Sequence, residues 1–495
     1  MNKLNILIAA SEVVPFAKSG GLADVAGALP KALRALGHDV RVVMPRYYIV
    51  DKEKYNLKPL LGELGVPMGS MGEAWAGVYE GVLPNSDVPV YFIEHDGFFG
   101  RKGLYDEDGE GYGDNDSRFI FFSKAVMQLA KKLHFKPDVI HANDWHTAPI
   151  PLLLNTTYAN DVNFENTGTL LSIHNLQHQG KFYKGAMDIL GVGWEHFNQD
   201  ELEEYGGINL LKGGIVHADA INAVSKKYAQ EIRTTEFGWG LDPLINEKAY
   251  KLYGILNGVD YDEWSPAVDK WIPQTFDSDN LEGKAVCKEA LQTAFNLPVR
   301  KDVPLIGLVG RLAEQKGITL LSAAIWNLME MDIQIVLLGT GEKWAEHFFA
   351  DVASKYPDKF ACYIGYKEEL AHQIEAGSDM FLMPSLFEPC GLNQIYSLSY
   401  GTLPIVRATG GLDDTIQNYD STTMSGTGFK FYDATPEALT GTVKWAVDIW
   451  YNEKEGFEKV RQNAMQQRFD WAEAAQGYED LYRHIIGGRL SSSHQ

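Results

Sequence analysis

Cysteine is scarce in this sequence, and the spacing of the few cysteines excludes two classes of site. Cys287, Cys362 and Cys390 lie far apart and form no C-x-x-C pair. This pattern is typical of a reducing compartment, and it supplies neither a disulfide framework nor a cysteine-based zinc site.

Long hydrophobic runs are also lacking. No apolar run reaches the roughly 18 residues of a membrane-spanning helix, and the apolar stretch near the N-terminus is too short for a secretory signal. We therefore expect a cytoplasmic protein with no membrane partner, although a plastid protein after removal of its leader would look the same.

Positive charge is in deficit, with 44 Lys and Arg against 66 Asp and Glu, for a formal net charge of -22. Because nucleic acids and anionic membranes attract Lys and Arg, the balance argues against a general binder of either. It leaves room for a local basic pocket that binds a phosphorylated small molecule.

What the sequence does contain is a repeating alternation of short apolar runs and amphipathic stretches, such as the predicted helix Leu22–Leu36 that ends at Gly37. Continuous rather than alternating apolar runs are typical of parallel strands covered on both faces. We predict an α/β fold with strands at Leu4–Ala10, Asp39–Met44, Val88–Ile93, Asp138–His141, Gly168–His174, Ala220–Val224, Leu305–Val309, Ile333–Leu338, Phe360–Ile364, Met380–Met383 and Leu403–Val406.

The 495 residues are too many for one hydrophobic core. A segment without periodicity, Asn257–Asp279, predicts a hinge near residue 260. We expect two doubly wound, Rossmann-like domains over 1–260 and 261–465 that face a cleft, then a C-terminal helix over 466–495 that crosses back to the first domain and ends in a disordered tail, Ser491–Gln495. In such sheets, ligands bind outside the carboxyl ends of the strands.

The first strand leads into KSGGLADV, where Lys18 precedes Gly20 and Gly21 and a helix is expected to start near Leu22. Glycines that allow close backbone approach, a helix N-terminus and a lysine suit a diphosphate. The alternative is a turn that needs glycine only for its geometry. The motif is not G-x-G-x-x-G, which disfavours NAD.

Two strand ends in the second half carry similar chemistry. GRLAEQKG places Arg311 and Lys316 ahead of a helix expected at Gly317, where both cations suit a diphosphate. The alternative is a solvated charge pair. PSLFEPCGLNQ places Glu388 before a helix expected to open near Gly391, where a carboxylate suits sugar hydroxyls or merely complements the helix dipole.

Polar residues also follow two strands of the first half, in HANDWHTAPI and SIHNLQHQG. Asp144 and His174 occupy equivalent positions there, and His174 is expected to donate a hydrogen bond to a sugar hydroxyl. The nearby histidines His141, His146 and His178 lack the spacing of a metal site, so no metal is expected.

Taken together, KSGGLADV, GRLAEQKG, FEPCGLNQ and NGVDYDEW resemble the bacterial glycogen synthase and plant starch synthase family, in order along nearly the whole chain. The resemblance implies a GT-B architecture and a retaining transfer of glucose from ADP-glucose, or UDP-glucose, to the non-reducing end of an α-1,4-glucan. No cofactor is implied, because the nucleotide sugar is a co-substrate. The acidic run DEDGEGYGDND, residues 106–116, is similar to the D-x-D metal elements of other glycosyltransferases, but we expect it to be a solvated loop.

The resemblance also assigns residues to roles. Arg311 and Lys316 look like the diphosphate clamp and Glu388 like the group that holds the glucose hydroxyls, with Asp144 and His174 completing the catalytic set. The expected substrate-binding residues are Lys18, Gly20, Gly21, Asp24, Asn257, Tyr366 (base stacking), Cys390, Gly391, Leu392, Gly410 and Gly411.

Two alternatives remain beside this interpretation. One is another retaining GT-B transferase such as sucrose synthase, which is disfavoured because many of those carry a second Glu where Tyr396 stands. The other is a catalytically idle glucan-binding or seeding protein, which is disfavoured because Lys18, Arg311, Lys316 and Glu388 are all present. The family often has Thr where Asn393 stands, a change that removes no charge.

The resemblance implies that the anomeric configuration of glucose is retained. Because the sequence offers no convincing carboxylate nucleophile for a double displacement, we prefer attack on the face from which the nucleotide diphosphate leaves. Groups that stabilise the leaving charge should then govern the rate. We therefore expect Arg311→Ala to lower turnover by orders of magnitude without unfolding the chain. Steady-state glucosyl transfer and circular dichroism of the variant measure both effects. Near-normal turnover would remove Arg311 from the mechanism.

Overall fold

The computed structural model describes residues 2–60, 62–107 and 109–492, and these form two compact units. Unit 1 comprises the described residues within Met1–Val224, Ala229–Gly258 and Trp471–Gln495, and unit 2 those within Ser225–Tyr228 and Val259–Asp470. Within the described ranges, no helix has the length and apolar character needed to cross a membrane.

Unit 1 is built on a ten-stranded sheet whose strands run in the order β15-β14-β10-β9-β1-β2-β6-β5-β3, with β4 paired to β5. A three-stranded sheet, β11-β13-β12, and a hairpin, β7-β8, accompany it. The strands are β1 (Asn5–Ala9), β2 (Asp39–Pro45), β3 (Lys58–Pro59), β4 (Leu64–Pro67), β5 (Glu73–Val82), β6 (Pro89–Glu94), β7 (Asp106–Glu107), β8 (Glu110–Gly111), β9 (Val139–Asn143), β10 (Gly168–Ile173), β11 (Lys181–Tyr183), β12 (Glu203–Glu204), β13 (Gly207–Asn209), β14 (Ala220–Ala223) and β15 (Leu252–Gly254).

Helices of unit 1 connect these strands in the manner of βαβ units. They are α1 (Gly21–Ala35), α2 (Asp96–Phe99), α3 (Asn115–Lys132), α4 (Asp144–Thr147), α5 (Pro149–Asn155), α6 (Ala186–Leu190), α7 (Leu210–His217), α8 (Lys226–Glu231, which begins in unit 2), α9 (Asp242–Glu247) and, at the end of the chain, α18 (Trp471–Ser492).

Unit 2 is a six-stranded, fully parallel sheet in the order β18-β17-β16-β19-β20-β21. Its strands are β16 (Leu305–Val309), β17 (Gln334–Gly339), β18 (Phe360–Ile364), β19 (Met380–Met383), β20 (Leu403–Arg407) and β21 (Phe429–Phe431). Its helices are α10 (Glu282–Ala294), α11 (Ile318–Glu330), α12 (Lys343–Lys355), α13 (Glu368–Gly377), α14 (Asn393–Ser399), α15 (Gly410–Thr415), α16 (Pro436–Asn452) and α17 (Lys454–Met465).

The central strands are buried on both faces, which is why their sequences read as unbroken apolar runs. All six residues of β10 are buried, including Leu170, Leu171 and Ile173. Each such side chain contributes about 1.5–3 kcal/mol relative to exposure. Every strand predicted from an apolar run is present, with its ends within two residues of the predicted ones.

Strands β3, β4 and β5 depart from the predicted parallel sheet. β5 pairs antiparallel with β6, and β3 and β4 pair antiparallel with β5. Several residues of β5 are only partly buried or exposed, and Trp75 is 56% exposed. A half-solvated strand rich in Ala, Gly and Glu lacks the apolar run on which the sequence prediction relied.

The last helix, α18, begins at Trp471 and ends at Ser492, within the C-terminal helix predicted over 466–495. α18 belongs to unit 1, where Tyr482 and Tyr478 reach its sheet. The Tyr482 hydroxyl is 2.8 Å from His141 Nδ1, and Asn222 Nδ2 donates to the Tyr478 hydroxyl at 3.0 Å. Ser491 is therefore helical rather than disordered, and the rest of the predicted tail, residues 493–495, lies outside the described residues.

A buried polar network in unit 2 joins the segment after Val259 to α13. His372 Nδ1 donates to Asp269 Oδ2 at 2.8 Å, and the Tyr400 hydroxyl donates to the same oxygen at 2.5 Å. Trp264 stacks on the His372 ring at 3.7 Å. Burial opposes the imidazolium, but the hydrogen bond to Asp269 and the Glu368 carboxylate 3.7 Å from Nε2 outweigh it and raise the pKa of His372 to about 9.

Because the pKa of His372 is raised from 6.5 to about 9 by folding, its stabilisation is complete below pH 6.5 and lost as the pH rises through 9. We expect His372→Gln to lower the free energy of unfolding by about 1–3 kcal/mol below pH 6.5 and by much less above pH 9. Chemical denaturation of both proteins across this range measures the difference, with His347→Gln on the exposed side of α12 as control. A loss of stability that does not vary with pH would contradict the charged network.

Candidate active site

In unit 1, the loop that carries Lys18 is held by a carboxylate that follows β1. Glu12 is buried, and its oxygens accept hydrogen bonds from Ser19 N, Ser19 Oγ (2.9 Å) and Gly20 N (3.1 Å). The Tyr105 hydroxyl donates to the same carboxylate at 2.9 Å. Backbone donors fixed by a buried carboxylate give this loop one defined shape.

The two glycines of this loop do not serve its backbone geometry. Gly20 has φ −151° and ψ −171°, an extended conformation open to any residue. A Cβ on Gly20 or Gly21 would meet no atom within 4 Å. The loop therefore leaves open space beside its backbone, which favours ligand approach over the turn-geometry alternative. α1 begins at Gly21, one residue earlier than predicted.

Lys18 is exposed, and its Nζ lies 2.8 Å from Asp24 Oδ1 in the first turn of α1. An exposed pair of this kind contributes little stability. The pair therefore lies close to the open backbone of Gly20 and Gly21.

Asp144 and His174 come together at the carboxyl ends of β9 and β10. His174 N donates to Asp144 Oδ1 at 2.7 Å, and Asp144 has the left-handed φ of 55°. Burial raises the pKa of Asp144 to about 7. Strained residues of this kind often lie at functional sites.

The tautomer of His174 follows from its neighbours. Asn143 Nδ2 donates to Ala9 O at 3.1 Å, so Asn143 Oδ1 is the acceptor for His174 Nε2 at 2.9 Å. Burial lowers the pKa of His174 to about 3, so the ring is neutral and Nδ1 is an acceptor. The sequence expectation that His174 donates to a sugar hydroxyl is therefore reversed, because the ring's one proton is used within the protein.

Two other histidines of this region lie in the interior of unit 1. His141 is fully buried, with Nδ1 2.8 Å from the Tyr482 hydroxyl and Nε2 2.7 Å from Ser172 Oγ. His146 packs its ring against Tyr105 and Trp145, and its Nδ1 has no hydrogen-bond partner among the described residues. Hydrogen bonds therefore occupy the His141 ring, and aromatic side chains surround the His146 ring.

Asn257 lies at the end of the unit 1 sequence that follows β15. Its side chain is 4% exposed, and Oδ1 has no hydrogen-bond partner among the described residues. A buried amide oxygen without a partner is costly, which points to a ligand or water that satisfies it.

In unit 2, the loops after the adjacent strands β16 and β19 bring a lysine against a carboxylate. Lys316 Nζ lies 2.6 Å from Glu388 Oε2, which also accepts from Ser385 Oγ at 3.0 Å. Glu388 is buried and Lys316 is half-buried. Arg311 is exposed and donates through Nη2 to Gln315 Oε1 at 3.3 Å.

The loop that carries Glu388 is braced from β20 and the glycines after it. Arg407 donates through Nε to Ser385 O at 2.9 Å and through Nη2 to Leu386 O. Gly411 N donates to Glu388 O at 3.0 Å. A Cβ on Gly410 would lie 1.9 Å from Glu388 O, and one on Gly411 the same distance from Cys390 O. These glycines thus permit close packing of two loops, and their contact with substrate stays a prediction.

The remaining expected substrate-binding residues of unit 2 have different surroundings. Cys390 is buried, and Leu392 packs beside a small core cluster with Ile395. Gly391 has φ +71°, and α14 begins at Asn393, two residues later than expected. Tyr366 is 62% exposed and donates through its hydroxyl to Glu368.

The acidic run over 106–116, expected to be a solvated loop, is exposed at Asp106, Glu107, Glu110 and Gly111 but contains a hairpin. Asp106–Glu107 and Glu110–Gly111 form the β7-β8 hairpin, and Asp114 forms an ion pair with Arg101 at 2.5 Å. Asp108, the last residue of the DED element, lies outside the described residues.

Sequence reasoning missed Glu12 and Tyr105. Glu12 gave one signal, a carboxylate within the otherwise apolar stretch after β1. Tyr105 gave none, since it meets Glu12 across 93 positions of the chain.

Known proteins resemble this chain over nearly its whole length. The family described as "Starch synthase catalytic domain" matches residues 5–247, and "Glycosyl transferases group 1" matches residues 292–467. Glycogen synthase 1 of Geobacter metallireducens is 57% identical over 490 residues, which cover 99% of this chain and 98% of the relative. Glycogen synthase of Moorella thermoacetica is 46% identical over 494 residues, 99% of each chain.

Solved structures give the same assignment. The catalytic domain of starch synthase IV from Arabidopsis thaliana, bound to ADP and acarbose, matches with a TM-score of 0.90 and 32% identity over 98% of this chain and 100% of that one. Sucrose-phosphate synthase from Thermosynechococcus elongatus matches with a TM-score of 0.60 at 17% identity over 98% of this chain and 100% of that one, which shows the shared GT-B fold alone. The predicted fold class and family are confirmed: this chain belongs to the glycogen and starch synthase family, glycosyltransferase family 5.

Proposed function

We propose that this chain is a retaining glucosyltransferase of glycogen synthesis that transfers glucose from ADP-glucose to the non-reducing end of an α-1,4-glucan. The observation that carries the proposal is the contact of Lys316 with Glu388 at 2.6 Å. A nucleotide sugar offers a partner to each: its diphosphate to Lys316 and its glucose hydroxyls to Glu388.

The preference for ADP-glucose rests on similarity. The starch synthase domain that matches this chain with a TM-score of 0.90 was solved with ADP and acarbose. We infer the same nucleotide for this chain, with UDP-glucose as the alternative donor and glycogen or maltooligosaccharide as the acceptor.

The proposed clamp consists of Arg311 and Lys316, which stabilise the negative charge that develops on the leaving diphosphate. A double displacement would require a carboxylate nucleophile beneath the sugar. Glu388 is instead held by Lys316 and Ser385. We therefore favour same-face attack, in which a leaving-phosphate oxygen accepts the proton of the acceptor hydroxyl.

Unit 1 supplies the second set of proposed contacts. The open backbone at Gly20 and Gly21, next to the Lys18 ammonium, suits a phosphate. His174 Nδ1 and the unpartnered Asn257 Oδ1 are acceptors, so we assign them to donor groups such as sugar hydroxyls. Asp144 positions the backbone of His174.

The proposed transfer uses no cofactor and no metal, since the cations of the clamp neutralise the diphosphate. A cytoplasmic location is also part of it, because the three cysteines form no disulfide, as is typical of a reducing compartment.

The proposed function is tested by glucosyl transfer from radiolabelled ADP-glucose and UDP-glucose, assayed in parallel on glycogen and maltooligosaccharide with EDTA present. We expect incorporation from ADP-glucose in excess of that from UDP-glucose. A preference for UDP-glucose would overturn the assigned nucleotide. No incorporation from either, by protein shown to be folded, would favour the idle glucan-binding interpretation.

The two glycine turns give a matched pair of substitutions. Gly20→Ala places a methyl group in open space, so stability should stay within about 0.5 kcal/mol while transfer falls because ligand approach is blocked. Gly410→Ala places it against Glu388 O at a φ of +47°, which should cost about 1–3 kcal/mol of stability. Thermal unfolding and transfer assays on both variants separate the roles. Full activity of Gly20→Ala would refute ligand contact at that turn.

A further inference from the structure

A group of two histidines and one glutamate lies in unit 1, on elements that the proposed reaction does not use. His196 ends the short 3-10 helix Trp194–His196, Glu201 lies in the turn that follows, and His217 is the last residue of α7. Their candidate ligand atoms lie within 4.8 Å of one another. Imidazole and carboxylate together are ligands that Zn²⁺ prefers, whereas Mg²⁺ and Ca²⁺ prefer oxygen alone.

The two imidazoles are aimed at one point. His196 Nδ1 lies 2.6 Å and His217 Nε2 2.8 Å from the same atom, Glu201 Oε2. A tetrahedral Zn²⁺ with bonds of about 2.0–2.1 Å holds its ligand atoms about 3.3 Å apart, so a shift of the carboxylate by less than about 1 Å would admit the ion.

Backbone and side-chain contacts hold the three residues in place before any ion binds. His217 O accepts from Asn155 Nδ2 at 2.8 Å, and Leu202 N donates to His196 O at 3.3 Å. Asn198 Nδ2 donates to Glu201 Oε1 at 3.3 Å, which orients the carboxylate from behind. Such outer hydrogen bonds orient ligands at metal sites.

The charges around the group are one carboxylate and one neighbouring ammonium. Glu201 supplies the negative charge that a cation binds. The Lys251 ammonium donates to Val216 O and Ala218 O, the carbonyls on either side of His217.

We propose that His196, Glu201 and His217 form a Zn²⁺ site that ties residues 194–204 to the C-terminal end of α7. The fourth position of the tetrahedron is taken by water, because all three side chains are partly exposed. The site acts on stability, and glucosyl transfer in EDTA proceeds without it. Absence of Zn²⁺ binding would therefore not bear on the proposed function. Absence of glucosyl transfer would likewise not bear on the Zn²⁺ site.

The test is a calorimetric titration of the full chain with Zn²⁺ after treatment with EDTA and its removal, in parallel with thermal unfolding. We expect one Zn²⁺ per chain and a rise in Tm of about 5 °C at a hundredfold excess of free ion over its Kd. Co²⁺ in place of Zn²⁺ should give the visible absorption bands of tetrahedral nitrogen and oxygen ligation.

Two conservative variants, His196→Gln and Glu201→Gln, should each weaken Zn²⁺ binding at least about tenfold. His347→Gln, which changes an exposed histidine of α12, is the matched control and should bind as wild type does. Circular dichroism and transfer activity in EDTA establish that each variant is folded. Absence of binding by wild type, or equal binding by wild type and both ligand variants, would overturn the site.

Discussion

Parallel strand pairing brings together two pairs of groups on which the proposed chemistry depends. Adjacent parallel strands end at the same edge of a sheet, so residues just past those ends must be neighbours. β9 pairs with β10, and Asp144 meets the backbone of His174 there, 30 positions along the chain. β16 pairs with β19, and Lys316 meets Glu388 across 72 positions. The same rule therefore builds both clusters, each within its own unit.

Rigidity at these edges comes from different sources in the two units. In unit 1 a buried carboxylate, Glu12, accepts hydrogen bonds from Ser19 and Gly20. In unit 2 the loop around Glu388 accepts hydrogen bonds from Arg407 and packs closely against the backbone of Gly410. Both arrangements fix the polar groups of the site before substrate binds. Binding energy is therefore not spent on ordering these groups. The two Gly-Gly pairs look alike in sequence. Gly20 and Gly21 leave open space beside the backbone, whereas Gly410 and Gly411 are packed against the neighbouring loop.

The sequence predicts a feature when the residues that determine it lie close together along the chain. Continuous apolar runs predicted strands such as Leu305–Val309 because burial on both faces leaves a mark on the strand itself. β5 was missed because one of its faces is solvated. The resemblance to a family was confirmed, whereas the residue roles stay predictions. The contact of Tyr105 with Glu12 and the tautomer of His174 depend on partners distant in sequence, which no local pattern records.

The assignment of α18 to unit 1 has a consequence for how the chain is made. A ribosome releases residues 1–258, all but 225–228 of which belong to unit 1, then the rest of unit 2, and only then the helix that begins at Trp471. Until that moment His141 and Asn222, both buried, lack Tyr482 and Tyr478 as partners. Domains usually finish folding in the order of their synthesis. Here the first unit to emerge is the last that can be completed.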